Sequence, residues 1–221
     1  MKKLYVFIYS AIVLSIVGTA ILLVFSPETV PLHYNLKGEA DRFGNKYEYF
    51  IIPLFNSLLG AFFMLYAKKQ GKKGEPVNER ILLYAGICTT LFFSALGFFF
   101  ILIAINYSPD AAAAVNVDIL KFVSIAIGIL FVFIGNIMPK MRRNSLFGLR
   151  TKWSMANDSV WQKSQRFAGI SFVVCGLVLI IAAPFMSFIR NLLLMTAVPV
   201  VWLILCVIAS YRYYKSEFPN N

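Results

Sequence analysis

Long apolar runs alternate with short polar segments along the whole chain. As helices rising about 1.5 Å per residue, the runs would each cover about 28–38 Å, and the hydrocarbon core of a bilayer is about 30 Å thick. The pattern therefore predicts an all-α, polytopic membrane protein of six transmembrane helices. The predicted spans are Leu4–Phe25, Tyr49–Ala67, Ile81–Ile105, Ile119–Met138, Phe167–Ser187 and Asn191–Ser210.

The composition agrees with a multi-pass protein of the cell membrane. Hydrophobic residues make up 59% of the chain and charged residues 14%, whereas soluble domains have about 45–50% and 25%. The mean hydropathy is +0.73. The net charge of +11 is interpreted as an orientation signal and not as a surface for direct contact with nucleic acid, because cytoplasmic loops of membrane proteins are enriched in Lys and Arg.

The basic residues predict which side each loop faces. With the N-terminus in the cytoplasm, 16 of the 21 Lys and Arg residues fall on the cytoplasmic side and 5 on the outer side. This bias predicts that both termini are cytoplasmic. The same charges predict affinity for the anionic headgroups of the lipid bilayer.

The centres of the six spans lack ionisable residues. Intramembrane charges typically mark proton relays and ion paths, so a proton-coupled pump is disfavoured, while a channel or uniporter stays open as an alternative. Hydrogen bonding between helices is the favoured role of the polar residues within the spans. These are Asn56, Ser57, Thr89, Thr90, Ser94 and Ser124.

The outer loop, residues 26–48, is longer than the 2–8 residues that typically join adjacent helices. Its first part alternates apolar and polar positions, which predicts a short strand-like stretch, and Gly38 and Gly44 predict turns. His33 with Glu39 or Asp41 offers metal ligands, but a single histidine makes a structural hydrogen bond the favoured interpretation. We predict neither a metal site nor catalytic residues.

The inner loop, residues 139–166, interleaves aromatic and basic residues. Asn157 or Ser159 is placed to cap a helix that runs through Trp161 into the fifth span. Two interpretations stay open: an anchor with Trp at headgroup depth and cations on phosphates, or a docking surface for a cytoplasmic protein.

Both loops carry sequences that resemble a known family. R-N-x-x-x-G-L-R-T-K-W-S, from Arg143 to Ser154, is similar to the signature of the SdpI family of bacterial immunity proteins. P-x-H-x-N-x-x-G-x-x-D-x-x-G-x-K, from Pro31 to Lys46, resembles the outer-loop signature of a domain of unknown function that often precedes it. The resemblance implies an N-terminal two-helix unit, residues 1–67, and an SdpI-like four-helix region, residues 68–221.

What the resemblance implies is protection against a secreted peptide toxin. In the family it also implies signalling, in which a cytoplasmic transcriptional repressor is sequestered at the membrane. It implies no enzyme activity and no cofactor. The candidate site residues are those that match the two motifs: Pro31, His33, Asn35, Gly38, Asp41, Gly44 and Lys46 outside, and Arg143, Asn144, Gly148, Arg150, Trp153, Trp161 and Arg166 inside.

Two functions of other classes compete with immunity. A small-solute or ion transporter would need a water-accessible cavity with polar walls that reaches mid-membrane. A membrane enzyme would need His33, Glu39 and Asp41 to converge on one outward-facing site.

Overall fold

The computed structural model describes residues 1–35, 39–107 and 119–219, and six long helices dominate it. All six are long and apolar enough to cross a membrane, which confirms the predicted class. A two-stranded antiparallel hairpin of β1 (Thr29–Tyr34) and β2 (Ala40–Asn45) joins the first two helices. The helices are α1 (Lys2–Val24), α2 (Ile51–Lys72), α3 (Pro76–Ile105), α4 (Ile119–Ile137), α5 (Asp158–Ala182) and α6 (Phe188–Glu217).

The helices pack in two groups of three. Ile8, Phe63 and Leu82 lie in one core, formed by α1, α2 and α3. In the other core, formed by α4, α5 and α6, the ring of Phe172 lies 4.0 Å from Phe131 and 4.4 Å from Trp202. The division of the chain after residue 67 into a two-helix unit and a four-helix region stays a prediction.

The hairpin and the segment between α4 and α5 lie at opposite ends of the bundle. The segment end also holds both termini: Tyr5 near the start of α1 donates to Glu79, and Lys163 near the start of α5 pairs with Glu217 at the end of α6. We call this the basic end, because it carries the Lys- and Arg-rich loops. That it faces the cytoplasm remains a prediction from the charge distribution.

Glycine pairs bring α4 and α5 unusually close together. A Cβ added to Gly128 would lie 2.6 Å from the carbonyl oxygen of Gly176, and one added to Gly135 would lie 2.6 Å from that of Gly169. The relation is reciprocal, with distances of 2.5 Å from Gly176 and 2.6 Å from Gly169. Only residues without a side chain permit such an approach of two helix backbones.

Buried polar side chains in the spans divide into two kinds. Asn56 on α2 donates to the Thr90 carbonyl and the Ser94 hydroxyl on α3, and Ser124 on α4 donates to Asn191 on α6. These bonds join helices, as predicted. The prediction was wrong for Ser57 and Thr89, because each hydroxyl donates to a carbonyl one turn back in its own helix.

Several helices extend beyond the predicted spans, and α5 and α6 extend the furthest. α5 begins at Asp158 instead of Phe167, because Asn157 caps it by accepting a bond from the Val160 amide. The structure thereby selects Asn157 over Ser159 as the cap, and the helix runs through Trp161 as predicted. α6 continues past Ser210 to Glu217, where an ion pair with Lys163 fixes its last turn.

Replacing Gly135 with Ala should destabilise the protein. The added methyl would meet backbone, which cannot move aside as a side chain does, so we expect a loss of about 1–3 kcal/mol in the free energy of unfolding. Thermal unfolding of the purified protein in detergent measures this. Gly97→Ala is the matched control, since its Cβ would meet only the Ile52 side chain at 3.1 Å. Equal melting temperatures for the two variants would contradict the backbone contact.

Candidate functional site

The outer-loop motif builds the hairpin. β1 pairs with β2 so that Val30 lies opposite Gly44 and His33 opposite Arg42. The predicted strand-like stretch is confirmed. Of the turn predicted at Gly44-Asn45, Asn45 begins the 3₁₀ turn that follows β2, but the part predicted for Gly44 was wrong: Gly44 lies within β2 and does not have a positive φ. Its role is close approach, since a Cβ there would clash with the side-chain ends of Leu32 and Glu48 as they are placed. Gly38 lies outside the described residues.

Polar motif residues bond across the hairpin. His33 Nδ1 lies 2.6 Å from Asp41 Oδ1, and both side chains are largely exposed, at 63% and 42%. Asn35 closes the hairpin with Glu39: it donates to the Glu39 carboxylate, and its side-chain oxygen accepts the Glu39 amide. Thus Glu39 does not converge with His33 and Asp41, and His33 has the structural bond that we favoured.

The remaining motif residues attach the hairpin to the helices. The Lys46 ammonium is buried and lies 3.0 Å from Glu28. Pro31 supplies a carbonyl that accepts a 2.6 Å bond from the Tyr49 hydroxyl. Asn45 accepts from the Tyr47 amide, and Glu48 accepts from the Asn45 amide in return, which is a capping box at the short 3₁₀ turn preceding α2. The hairpin is therefore held rigidly on the bundle.

A cavity of about 690 Å³ lies beneath the hairpin, between the strands and the adjoining ends of the first helices. Its walls are mainly apolar, with Arg42 and Glu48 among the lining residues. Tyr34 also lines it, and the Tyr34 hydroxyl is buried without a hydrogen-bond partner among the described residues. Burial raises the pKa of Tyr34 to about 12, so this hydroxyl stays protonated and can donate at neutral pH.

At the basic end, Asn144 organises the inner loop. Its side-chain oxygen accepts from the amides of Leu146 and Phe147, and its side-chain nitrogen donates to the carbonyls of Arg142 and Phe147. Asn144 is 8% exposed. One buried amide thus satisfies four backbone groups of a tight turn, a role that needs both donor and acceptor on one short side chain.

Gly148 and Gln165 fix the next part of the loop. Gly148 has a φ of +105°, the left-handed conformation expected to require glycine. Directly after it, Leu149 bonds with both of its backbone polar groups to Gln165 on α5: the amide donates to Oε1 at 3.0 Å, and the carbonyl accepts from Nε2 at 2.9 Å. Gln165 is fully buried. The side-chain amide of Gln165 thus provides the hydrogen-bond partners that the backbone of a neighbouring β-strand would otherwise provide.

Hydroxyl groups hold the loop against α6. Ser154 donates to the Leu149 carbonyl and accepts from the Thr151 amide. The Thr151 hydroxyl lies 3.0 Å from that of Ser210 on α6. Trp153 packs on Tyr211 with ring centres 5.0 Å apart. The inner loop is therefore a folded cap on the helix ends.

Trp161 and Arg143 tie the loop to the start of α5. Trp161 is 1% exposed, and its ring nitrogen donates to the Met141 carbonyl at 2.8 Å. Trp161 therefore closes the loop and is not an interfacial anchor at headgroup depth. Arg143 Nε lies 2.9 Å from the Asp158 carboxylate, and another Arg143 nitrogen donates to the Met155 carbonyl.

The inner motif thus separates into structural and exposed residues. Asn144, Gly148 and Trp161 shape the cap, whereas Arg150 and Arg166 are exposed. Neither arginine has an ion-pair partner among the described residues. The two motifs are not brought together: α1 alone separates their ends by about 34 Å.

Sequence reasoning missed three residues of the cap. Gln165, Ser154 and Asn78 are all fully buried, and Asn78 on α3 accepts the Arg142 amide. Trp161, Gln165 and Ala168 recur at helical spacing on one face of α5, and that periodicity was the available signal for Gln165. Asn78 had no such signal, because its partner is 64 residues away.

No group of three or more His, Cys, Asp and Glu residues suited to a metal ion occurs within the described ranges. The structure so far defines a class: a multi-pass helical membrane protein with a rigid hairpin at one end and a folded basic cap at the other.

Comparisons with known proteins agree with this class and narrow it. The family model of the SdpI/YfhL protein family matches residues 140–210, and that of a domain of unknown function, DUF1648, matches residues 11–56. The chain is 28% identical to "Immunity protein SdpI" of Bacillus subtilis (strain 168) over 208 residues, 91% of each protein. The two matched regions contain the two loop motifs, so the resemblance to the SdpI family is confirmed. No solved structure matches the chain significantly.

Replacing Gln165 with Leu should open the cap. Leu149 would lose both bonds to Gln165, which leaves its buried amide without a partner while its carbonyl keeps only the bond from Ser154, at a cost of about 1–3 kcal/mol in the free energy of unfolding. We expect faster trypsin cleavage after Arg150 and Lys152 together with a lower melting temperature. Gln162→Leu, which changes an exposed glutamine on the same helix, is the control. If Gln165→Leu resists trypsin as the wild type does, the two bonds do not hold the cap.

Proposed function

We propose that this chain is an integral membrane immunity protein that protects its cell against a secreted peptide toxin. The observation that carries the proposal is the similarity to immunity protein SdpI over 91% of both chains. A match of that extent includes the hairpin and the cap as well as the helices between them. The proposed function is protective, in agreement with the name of this relative.

We place contact with the toxin at the hairpin end. Most described residues of the outer motif are occupied in holding the hairpin together, but His33 and Asp41 present their side chains to solvent. The cavity beneath them offers apolar walls and the unpaired Tyr34 hydroxyl. An exposed polar pair above an apolar cavity suits a peptide with both polar and apolar side chains.

We assign the cap at the basic end a second role, in which it docks a cytoplasmic transcriptional repressor. Support comes from the exposure of Arg150 on a folded surface, because a guanidinium held by a rigid loop suits a two-pronged bond to a carboxylate. A flexible basic tail would suffice for simple attraction to headgroups.

The geometry favours immunity over the competing functions. The grooves described at membrane depth, between α3 and α4 and between α5 and α6, have apolar walls, whereas a solute path needs polar ones. An outward-facing enzyme site needs His33, Glu39 and Asp41 together, and Glu39 is instead bonded to Asn35.

Loss of protection after substitution at the hairpin tests the proposed function. The chain is expressed in a sensitive host, and survival is measured against candidate secreted peptides. We expect survival with the wild type, and loss of it with His33→Ala and with Asp41→Ala, at unchanged amounts of protein in the membrane. Lys73→Ala, an exposed change at the opposite end, is the control. No protection by the wild type against any peptide would refute immunity.

A further variant separates contact from hairpin closure. Asn at position 41 can still accept a hydrogen bond from His33, so Asp41→Asn preserves the cross-strand bond while removing the charge. If the Asp41 carboxylate contacts the toxin, cells with the Asp41→Asn variant should also lose protection. Full protection by Asp41→Asn would show that the pair only closes the hairpin.

Arg150→Lys tests the docking role. The variant keeps the charge but loses the planar fork. In cells that carry the wild type we expect toxin to change a set of transcripts, and in cells with Arg150→Lys we expect most of that response to be lost while protection is retained. Arg212→Lys, an exposed position at the same end, is the control. An identical transcript response with Arg150→Lys would favour the anchor interpretation.

A further inference from the structure

Three cavities that share lining residues follow one another from the cap into the membrane-spanning part of the bundle, and we call them the track. Its first part, the basic cleft, has a volume of about 760 Å³ and lies between the start of α3, the end of α4 and the start of α5. The charged residues that line this cleft are Glu75, Lys140, Arg142, Arg143, Asp158 and Arg166.

A smaller cavity of about 420 Å³ continues the track along α3 and α4. Lys140 lines both this cavity and the basic cleft. Arg80 is the other basic residue here, and the remaining walls are apolar. Tyr84 and Ile137, at its deeper side, belong also to the third part of the track.

The third part is an apolar groove of about 600 Å³ between α3 and α4. It extends from Ile137 to Phe122, about 22 Å of helix, which exceeds the roughly 15 Å of one hydrocarbon leaflet. Phe122 stacks on Phe99 with ring centres 3.6 Å apart. Leu91, Ala95 and Ile129 are among the groove residues, and all three are exposed.

The cations of the track are only partly neutralised. Asp158 pairs with Arg143 at 2.9 Å, and Glu75 lies 3.8 Å from Arg142. Arg80, Lys140 and Arg166 are exposed, and none of these three has an ion-pair partner within the described parts of the chain. Three positive charges therefore remain for a ligand, and two of them, Arg80 and Lys140, stand at the entrance of the apolar groove.

We propose that this track binds one anionic phospholipid, with its phosphate between Arg80 and Lys140 and an acyl chain in the α3–α4 groove. From the cap inward, the track is first charged and then apolar. An anionic phospholipid has the same order, with a charged headgroup at the membrane surface followed by a hydrocarbon chain. A zwitterionic headgroup suits the site less, since its ammonium would share the track with three unpaired cations. The inference is independent of the proposed immunity function.

Lipid binding by the purified full-length protein in detergent tests the proposal. Native mass spectrometry compares retention of phosphatidylglycerol with that of phosphatidylcholine carrying the same acyl chains. We expect clear preference for phosphatidylglycerol. The double variant Arg80→Gln/Lys140→Gln should lower its affinity roughly tenfold, because cations at the membrane surface contribute strongly to binding anionic lipid. Lys68→Gln/Lys69→Gln removes the same charge at the same end, away from the track, and should have no effect.

The apolar part of the site is tested separately. Ala95→Phe fills the groove and should lower phosphatidylglycerol retention severalfold, whereas Ala20→Phe, at an exposed alanine on α1, should not. Inorganic phosphate added at the lipid concentration should not displace the bound lipid. Equal retention of the two lipids, or no loss with either variant of the track, would overturn the proposal. Displacement by phosphate with Ala95→Phe unaffected would show a phosphate site that does not involve lipid chains.

Discussion

The backbone contact between α4 and α5 determines the geometry of the basic end. Two glycines on each helix face each other, so the helices approach until carbonyl oxygens lie where side chains would otherwise be. A Cβ added to Gly169 would also lie 2.7 Å from the ring of Pro139, just beyond the end of α4. This proximity carries the chain after Pro139 directly over the first turns of α5. The Met141 carbonyl can therefore reach the Trp161 ring nitrogen, and the cap must fold in the small space that remains.

In a compact loop in that space, side chains have to provide the hydrogen-bond partners of the backbone. Its backbone has neither helical nor strand partners, and buried backbone groups without partners are costly. Asn144 serves four such groups, and Gln165 serves both groups of Leu149. These residues are consequently fixed by folding requirements. The arginines that fill no such requirement, Arg150 and Arg166, are the ones left on the surface.

Physical constraints on folding also explain which features of the structure the sequence could predict. Hydrophobic length located all six spans, because a bilayer of fixed thickness imposes it. The motifs located both loops and most of the cap. Periodicity did not reveal the second strand, since β2 presents mainly exposed residues and lacks an apolar alternation. Gly44 was misassigned because glycine serves turns and close approaches equally well, and only the position of Leu32 and Glu48 distinguishes them. The ends of α5 and α6 depended on a cap and an ion pair, which hydropathy does not detect.

The helices α2 and α3 reach both the cavity beneath the hairpin and the cap. Among the contacts of the cap with these helices, Asn78 accepts the Arg142 amide, Tyr66 bonds with Ser145, and the ring of Phe63 lies 6.3 Å from that of Phe147. At their other ends, α2 and α3 wall the cavity beneath the hairpin through Pro53, Leu54 and Phe100. Asn56, one turn from the cavity residue Pro53, bonds α2 to α3. The two helices therefore form a pair that touches both surfaces, so a displacement at the cavity would act on the cap through contacts of this kind.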